Sequence, residues 1–565
     1  MYSDKESINI LTSLLVAHGV RHAVVCPGSR NAPIVHNLAE CPDIRCFPVT
    51  DERSAGFFAL GMAQTLRQPV AVCVTSGSAL LNVAPAVAEA YYQQVPLVVV
   101  AADRPEAWID QLDGQTIRQT GALANIVAKE VALPSTIKTE TERWHCNRLV
   151  NEALLATSFP KYGPVHINVP IDEPLFEFNT PALPPQRVIR RHFPQGDGLG
   201  EELAGWLFDA ERPMVIVGQY DGPVRDGLDP EARQALSLLS QRVVLLSETL
   251  CSLLPPTPVD EALAAMDDDR PYQPDVVVYL GGMLVSKRLR HFLRRLENAR
   301  VIMVAPDGDV NDVSMHATDV VVAHDAGEVL LTMGRQLMEG RYGLNGNMNP
   351  GEAFLDRWKN LFARVESVVD EYEPPFSQMA VVKYLEQQLE DMDMPVVAHY
   401  ANSSAVRLAN VYARHHVLCN RGVNGIEGSL STAVGCAAVT DAMVLCVVGD
   451  LSFFYDQNAL WNRHLKGNLR IVLLNNAIGG IFHMLPGLEH SEEHNAMVCG
   501  AHHTSARGIC SQCDVGYLHA ANDQEMRMGI VTLLTRHSSR PMLLEVFTDP
   551  QHDAGALKEF LRRLR

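Results

Sequence analysis

LCVVGDLSFFYDQNALW, residues Leu445 to Trp461, joins an apolar run to an acid and then to an amphipathic segment. The run carries no charge up to Gly449, which is the pattern of a strand covered on both faces of a parallel sheet. A carboxylate at its tip then stands where open α/β sheets bind ligands, at the carboxyl end of a strand. Asn476 ends the next such run, LRIVLLNN, and the turn AIGGIF follows it. A carboxylate, an amide oxygen and a turn carbonyl are the hard oxygen donors that Mg²⁺ takes while leaving room for phosphate and water. Alone, Asp450 would cap a helix beginning near Ser452 and Asn476 would turn the chain. The two together, at neighbouring strand tips, point to a metal that holds a diphosphate.

Working outward, short β-branched runs alternate with segments of helical period, the signature of parallel sheets covered by helices. The first block holds HAVVCPGS, PVAVCVTSG, VPLVVVAAD and PVHINVP, and ends in the proline-rich FNTPALPPQRVIRRHFPQG. The second holds RPMVIVGQY, RVVLLSETL, PDVVVYLGG and ARVIMVAPDG, and closes near GRYGLNGNMNPGE. The third holds MPVVAHYANS, AMVLCVVGD, LRIVLLNN and PMLLEVF. The expected fold class is α/β, with three Rossmann-like parallel-sheet domains over residues 1–180, 195–340 and 370–565. ALGMAQTLRQPVAVCVTSG and AVGCAAVTDAMVLCVVGD share a helix start and a strand, with Ser76 and Asp450 at equal distances beyond Gly61 and Gly435. The outer blocks therefore read as copies of one unit.

The bulk composition narrows the function. A chain of 565 residues, 47% hydrophobic, can bury several cores. A formal charge of −19, with no dense Lys/Arg run, argues against a nucleic-acid or membrane-surface binder. The start, MYSDKESINILTSLL, reads as a first helix and not a signal peptide, and no apolar run is long enough to span a bilayer. Twelve cysteines scattered through apolar runs suit reduced thiols, so a cytoplasmic protein is expected.

GDLSFFYDQNAL and LLNNAIGGIF resemble the diphosphate–metal motif of thiamine-diphosphate-dependent enzymes, whose pyrimidine, central and pyrophosphate domains follow in the order of the three blocks. Many members of that family have Gly-Asp-Gly where this chain has Gly449-Asp450-Leu451. Taken with CPGSRNAP, TDERSAGFFALGMAQ, AADRPEAWID, GQTIRQ and NRGVNGIEGSLSTAVG, the departure resembles the branch of the family that joins 2-oxoglutarate to isochorismate in menaquinone biosynthesis. The likeness is strong in the outer blocks and weak in the middle one, where GGMLVSKRLR carries most of it.

The resemblance implies thiamine diphosphate and Mg²⁺ or Mn²⁺ as cofactors. Glu52 matches the glutamate that hydrogen-bonds the aminopyrimidine ring, favouring the tautomer that can take a proton from the thiazolium carbon. From the residues alone, Glu52 would be an exposed, charged helix start. Ile426 matches the apolar support for the bent cofactor. Asp450, Asn476 and the Ile478 carbonyl match the metal ligands, with Gly449, Leu451, Ser452 and Gly479 beside the diphosphate and Thr75, Ser76 and Gly77 at the pyrimidine end. Sites between subunits of a homodimer or homotetramer are implied too. Two substrates with two carboxylates each call for converging cationic and polar groups. The matching positions are Ser29, Arg30, Arg104, Gln115, Lys287, Arg288, Asn402, Ser403, Arg407 and Arg421, with Ile481 and Phe482 as an apolar wall. Of these, Ser29, Arg30, Gln115, Ser403, Arg407 and Arg421 join Glu52 as catalytic candidates.

Another thiamine-diphosphate carboligase or decarboxylase, of the acetohydroxyacid-synthase kind, is the enzymatic alternative. A catalytically silent cofactor-binding protein is the other. Cys499, His502, Cys510 and Cys513 have a spacing that could hold zinc, but ARGICSQCDVGYLHA reads as an amphipathic core helix. His399 and His483 read as locally satisfied histidines, and the glycine pairs at Gly281 and Gly479 as turns.

Overall fold

The computed structural model describes residues 1–191, 199–222, 227–339, 351–480 and 497–565. Among the described residues seventeen strands form three sheets, and every ladder within them is parallel. The first contains β1 (His22–Val25), β2 (Arg45–Pro48), β3 (Val70–Val74), β4 (Leu97–Asp103), β5 (Lys129–Ala132) and β6 (Val165–Pro170). The second contains β7 (Pro213–Val217), β8 (Val244–Ser247), β9 (Val276–Leu280), β10 (Arg300–Ala305) and β11 (Ala317–Val322). The third contains β12 (Val396–Tyr400), β13 (Val417–Leu418), β14 (Met443–Gly449), β15 (Leu469–Asn475), β16 (Gly516–Ala520) and β17 (Met542–Phe547). The class is α/β, as the alternating runs require. β4 and β15 are buried along their whole length, which is why LVVVAAD and LRIVLLN show no alternation.

The outer sheets have one topology. Their orders are β2-β1-β3-β4-β6-β5 and β13-β12-β14-β15-β17-β16, the same sequence of crossovers. The two halves meet where helix Glu52–Leu66 crosses helix Ser429–Val439. A Cβ on Gly61 would lie 2.0 Å from the Thr432 carbonyl oxygen, and one on Gly435 would lie 2.1 Å from that of Phe58. Positions 58 and 61 map onto 432 and 435 by a single offset, so each helix offers the other the same glycine notch. The repeat read in the sequence is a duplication of fold.

The central sheet, ordered β11-β10-β9-β7-β8, is joined to the third by the long helix Glu352–Glu371. Phe354, Leu355, Trp358, Leu361, Val365 and Val369 recur at helical spacing and are buried. They enter one apolar core that runs from Met214 and Val277 of the central sheet to Leu445 and Leu544 of the third. None of the twelve cysteines is joined in a disulfide. Among the described residues, no helix is long and apolar enough to cross a membrane.

One sequence expectation fails. In ARGICSQCDVGYLHA only Arg507–Gln512 is helical, and Gly516–Ala520 is strand β16. The β-branched and aromatic content of the second half was outweighed in that reading by the i, i+3 spacing of its cysteines. GRYGLNGNMNP, which begins the expected second boundary, lies outside the described residues, as does the end of the proline-rich stretch.

Candidate active site

β14 and β15 are adjacent, and their carboxyl ends place Asp450 and Asn476 side by side in the chain's third sheet. Asp450 is 4% exposed and is the first residue of helix Asp450–Tyr455. Its Oδ1 accepts the Leu451 amide at 2.7 Å, while Oδ2 is buried without a hydrogen-bond partner among the described residues. Burial raises the carboxyl above its ordinary range, and the amides of Leu451, Ala477 and Ile478, together with His502, pull it back.

Asn476 is 6% exposed. Its Nδ2 donates to Asp553 Oδ2 at 2.9 Å, which fixes the amide with Oδ1 on the other side. Asp553 is itself pinned, accepting the Gln378 amide at 2.8 Å and the Thr548 hydroxyl at 2.9 Å. The turn after β15 holds Ala477 at φ +63°, a strained choice for a residue with a Cβ, and its carbonyl accepts the His502 amide. Ile478 is buried, and the Gly479 amide donates to the Cys499 carbonyl at 2.7 Å. A carboxylate oxygen without a hydrogen bond and, at the neighbouring strand end, an amide whose nitrogen is held by Asp553 form a donor set that fits a divalent cation.

His502 joins this site from a segment the sequence reading set aside. Its Nδ1 accepts the Thr504 amide at 3.0 Å, so the proton of the neutral ring sits on Nε2, which lies 3.4 Å from Asp450 Oδ2. Among the described residues no three metal-ligating side chains come together. Cys510 is buried in the short helix Arg507–Gln512. His399 is buried on β12, and burial lowers its pKa to about 4, so it is neutral at neutral pH.

The loop before helix Ser429–Val439 brings further candidates to this end of the sheet. Ile426 leaves its side chain 41% exposed, while its carbonyl accepts the Ser452 hydroxyl. Asn402 donates to the carbonyls of Asn420 and Gly425, and its Oδ1 accepts from Arg421 at 3.1 Å. Ser403 has φ +76°, strained backbone at the start of helix Ser404–Tyr412. Arg407, on that helix, lines a cavity of about 470 Å³ with Lys287, Arg288, Asn476 and Gly480. Arg288 pairs with Asp260. Burial first, and then Arg421, lower the pKa of both Arg407 and Arg290. Arg290 lies inside SKRLR but escaped the sequence reading, because only the helix Lys287–Leu293 turns it toward Arg421.

The N-terminal candidates gather at the carboxyl ends of β1, β3 and β4. Glu52 opens its helix behind the Asp51 cap and accepts from Asn82 at 3.2 Å. A Cβ on Gly28 would meet Thr75 at 2.4 Å, so PGSR folds over the β3 tip next to buried Thr75 and Ser76. The Gly77 amide donates to Gln119 Oε1 at 2.8 Å, and Gln115 has φ +56° beside it. Arg30 is buried on the Ile171 carbonyl and Glu173, with Ser29 exposed before it. Arg104 pairs with Asp113 at 3.5 Å and keeps a buried Nε unpartnered. No described hydrogen bond or ion pair joins this group to the Asp450 group. The starts of the two regions do touch, through Asn458 to Asp51 and Arg53 to the Tyr455 carbonyl. Ile481, Phe482 and His483 lie outside the described residues.

A family model described as "Thiamine pyrophosphate enzyme, N-terminal TPP binding domain" matches residues 7–125. With the duplicated sheets and the acid at the β14 tip, it makes the chain a thiamine pyrophosphate enzyme. A protein of Bacteroides fragilis named 2-succinyl-5-enolpyruvyl-6-hydroxy-3-cyclohexene-1-carboxylate synthase is 43% identical over the whole of both chains. Proteins of the same name in Bacteroides thetaiotaomicron (42%, the whole of both chains) and Desulfotalea psychrophila (36%, 97% of this chain and 99% of the relative) are also similar. The chain belongs to the 2-succinyl-5-enolpyruvyl-6-hydroxy-3-cyclohexene-1-carboxylate synthase family.

Proposed function

We propose that the protein decarboxylates 2-oxoglutarate and adds the resulting succinyl carbanion equivalent to isochorismate, a carboligation of menaquinone biosynthesis. The observation that carries the reading is the buried, unpartnered Oδ2 of Asp450 beside the pinned amide of Asn476. Asp450, Asn476 and the Ile478 carbonyl are assigned to Mg²⁺ or Mn²⁺, with Gly449, Leu451, Ser452 and Gly479 lining the diphosphate. Thiamine diphosphate, when bound, supplies the electron sink that decarboxylation of a 2-oxo acid needs.

The chain's residues then bind, orient and move protons. Glu52 is assigned to the pyrimidine nitrogen, where its carboxyl holds or releases one proton. Thr75, Ser76 and Gly77 receive the uncharged ring, and exposed Ile426 supports the cofactor's bend. Arg407 and Arg421, with Lys287, Arg288 and Asn402, take carboxylates, for a guanidinium fork matches a carboxylate with two parallel bonds. Ser29, Arg30, Arg104, Gln115 and Ser403 complete the substrate contacts, and Ile481 and Phe482 the apolar wall. Sites shared between the subunits of a homodimer or homotetramer belong to the same reading. Domains of 1–180, 195–340 and 370–565, and a cytoplasmic location in keeping with twelve cysteines in no disulfide, complete the proposal.

The test is direct. Purified protein with thiamine diphosphate, Mg²⁺, 2-oxoglutarate and isochorismate should release carbon dioxide as isochorismate disappears. Turnover with pyruvate in place of 2-oxoglutarate, at equal efficiency, would transfer the assignment to the acetohydroxyacid-synthase-like alternative.

A further inference from the structure

Arg421 is 5% exposed, and a guanidinium so deeply buried needs partners from whatever surrounds it. One terminal nitrogen donates to Asn402 Oδ1 and the other to the Val285 carbonyl at 3.4 Å. Among the described residues Nε has no hydrogen-bond partner. The backbone on each side of this contact is gripped by a buried carboxylate, one reaching across from the N-terminal half and one from within the central domain.

Glu89, 2% exposed on helix Ala84–Gln93 of the N-terminal half, accepts the amides of Gly422 and Val423 at 2.6 and 2.7 Å. A Cβ on Gly422 would come within 2.9 Å of the Glu89 carbonyl oxygen, so the loop lies hard against that helix. Glu248, 2% exposed just beyond β8, accepts the amides of Val285 and Ser286 at 2.5 and 2.7 Å. Gln219, beyond β7, ties the junction together by donating to Gln93 at 3.0 Å and to the Cys419 carbonyl at 3.3 Å.

Burying a carboxylate is costly, and each of these offsets the cost with two charge-assisted amide bonds. Glu89's two bonds cross between domains and Glu248's two stay within the central one, yet all four go to the two backbone segments that meet at one arginine. Those segments also set where Arg421 stands against Arg290 and Arg407, like charges that repel it, with Glu248 near Arg290 and Asp260 near Arg407 offsetting part of that repulsion.

We propose that Glu89 and Glu248 are positioning residues for carboxylate recognition: through the backbone they clamp Arg421 between the N-terminal and central domains and so set its spacing from Arg290 and Arg407. The inference rests on reading those arginines as partners of substrate carboxylates. Glu89→Gln and Glu248→Gln, made in the full chain with cofactor and metal, keep the shape but replace one acceptor oxygen of each pair by an amide that faces an N–H. The expected result is a KM for 2-oxoglutarate or isochorismate raised about tenfold, with kcat and thiamine diphosphate affinity within about twofold of the parent. Lowered thermal stability with both KM values unchanged would overturn the inference. Arg421→Ala separates the two levels. Unchanged KM values there would defeat the carboxylate reading itself, whereas raised values there and unchanged ones in the glutamine variants would defeat the clamp alone. Should either glutamine variant fail to fold, Gln219→Ala loosens the same junction and should raise the same KM; no rise overturns the clamp.

Discussion

Asp450 carries an acid into a place where solvent cannot reach it and, among the described residues, leaves one oxygen with no hydrogen bond and only His502 Nε2 at 3.4 Å. A buried, unpaired carboxylate oxygen costs roughly 1–3 kcal/mol or more, so its retention needs a ligand to explain it. Asp450→Asn should abolish metal-dependent binding of thiamine diphosphate, measured by titration with and without Mg²⁺, while thermal stability stays equal or rises. Asp553 is expected to matter at one remove. Its replacement by Ala frees the Asn476 amide to turn, and the affinity for metal and cofactor should fall about tenfold, as it does when residues that orient a ligand are lost. Glu52→Gln should bind the cofactor and lose turnover; unchanged turnover would remove Glu52 from the chemistry. Asp450 and Asn476 were legible because strand tips can be read from hydrophobic runs. Asp553 and His502 were not, because their place depends on a contact between segments 77 and 52 residues distant from the ligands they serve. Arg290 was hidden for a different reason, since a run of basic residues does not say which one its helix turns inward.

The crossing of helices Glu52–Leu66 and Ser429–Val439 depends on two missing methyl groups. Gly61→Ala drives a Cβ into the Thr432 carbonyl, and neither helix backbone can yield locally, so a loss of about 2 kcal/mol or more is expected in chemical denaturation. The sequence repeat marked these glycines correctly, but the pattern alone could not say that the two copies face each other. The same element supplies a pH dependence. Asp456, fully buried, accepts both the backbone amide and the hydroxyl of Ser431, and burial raises its pKa to about 7, with Arg53 lowering and Asp51 raising it. A folded-state pKa above the unfolded value means stability present at low pH and lost as pH rises from about 4 through 7. Asp456→Asn should flatten that part of the stability–pH curve, as followed by thermal unfolding between pH 4 and 8.

Across the whole molecule, three parallel sheets follow from runs whose order and length the sequence displays, so the class of fold was legible almost throughout. The junction among the domains was not, for Glu89, Gln219 and Glu248 sit in segments with no motif and meet only when all three sheets are in place. If each site is shared between subunits, sedimentation should give a dimer or larger at assay concentrations, and specific activity should fall on dilution through its dissociation range. A purely monomeric, fully active species would end that view. The glycine crossing has one more consequence. Its two sides are related as the faces of an isologous contact, each residue meeting its own counterpart's neighbour. Such symmetry arises naturally when identical chains pair, and seldom by any other route. The two halves of one polypeptide thus meet as two identical subunits would, while Asp450 at one strand tip and Ser76 at the other give that symmetric frame two different ends.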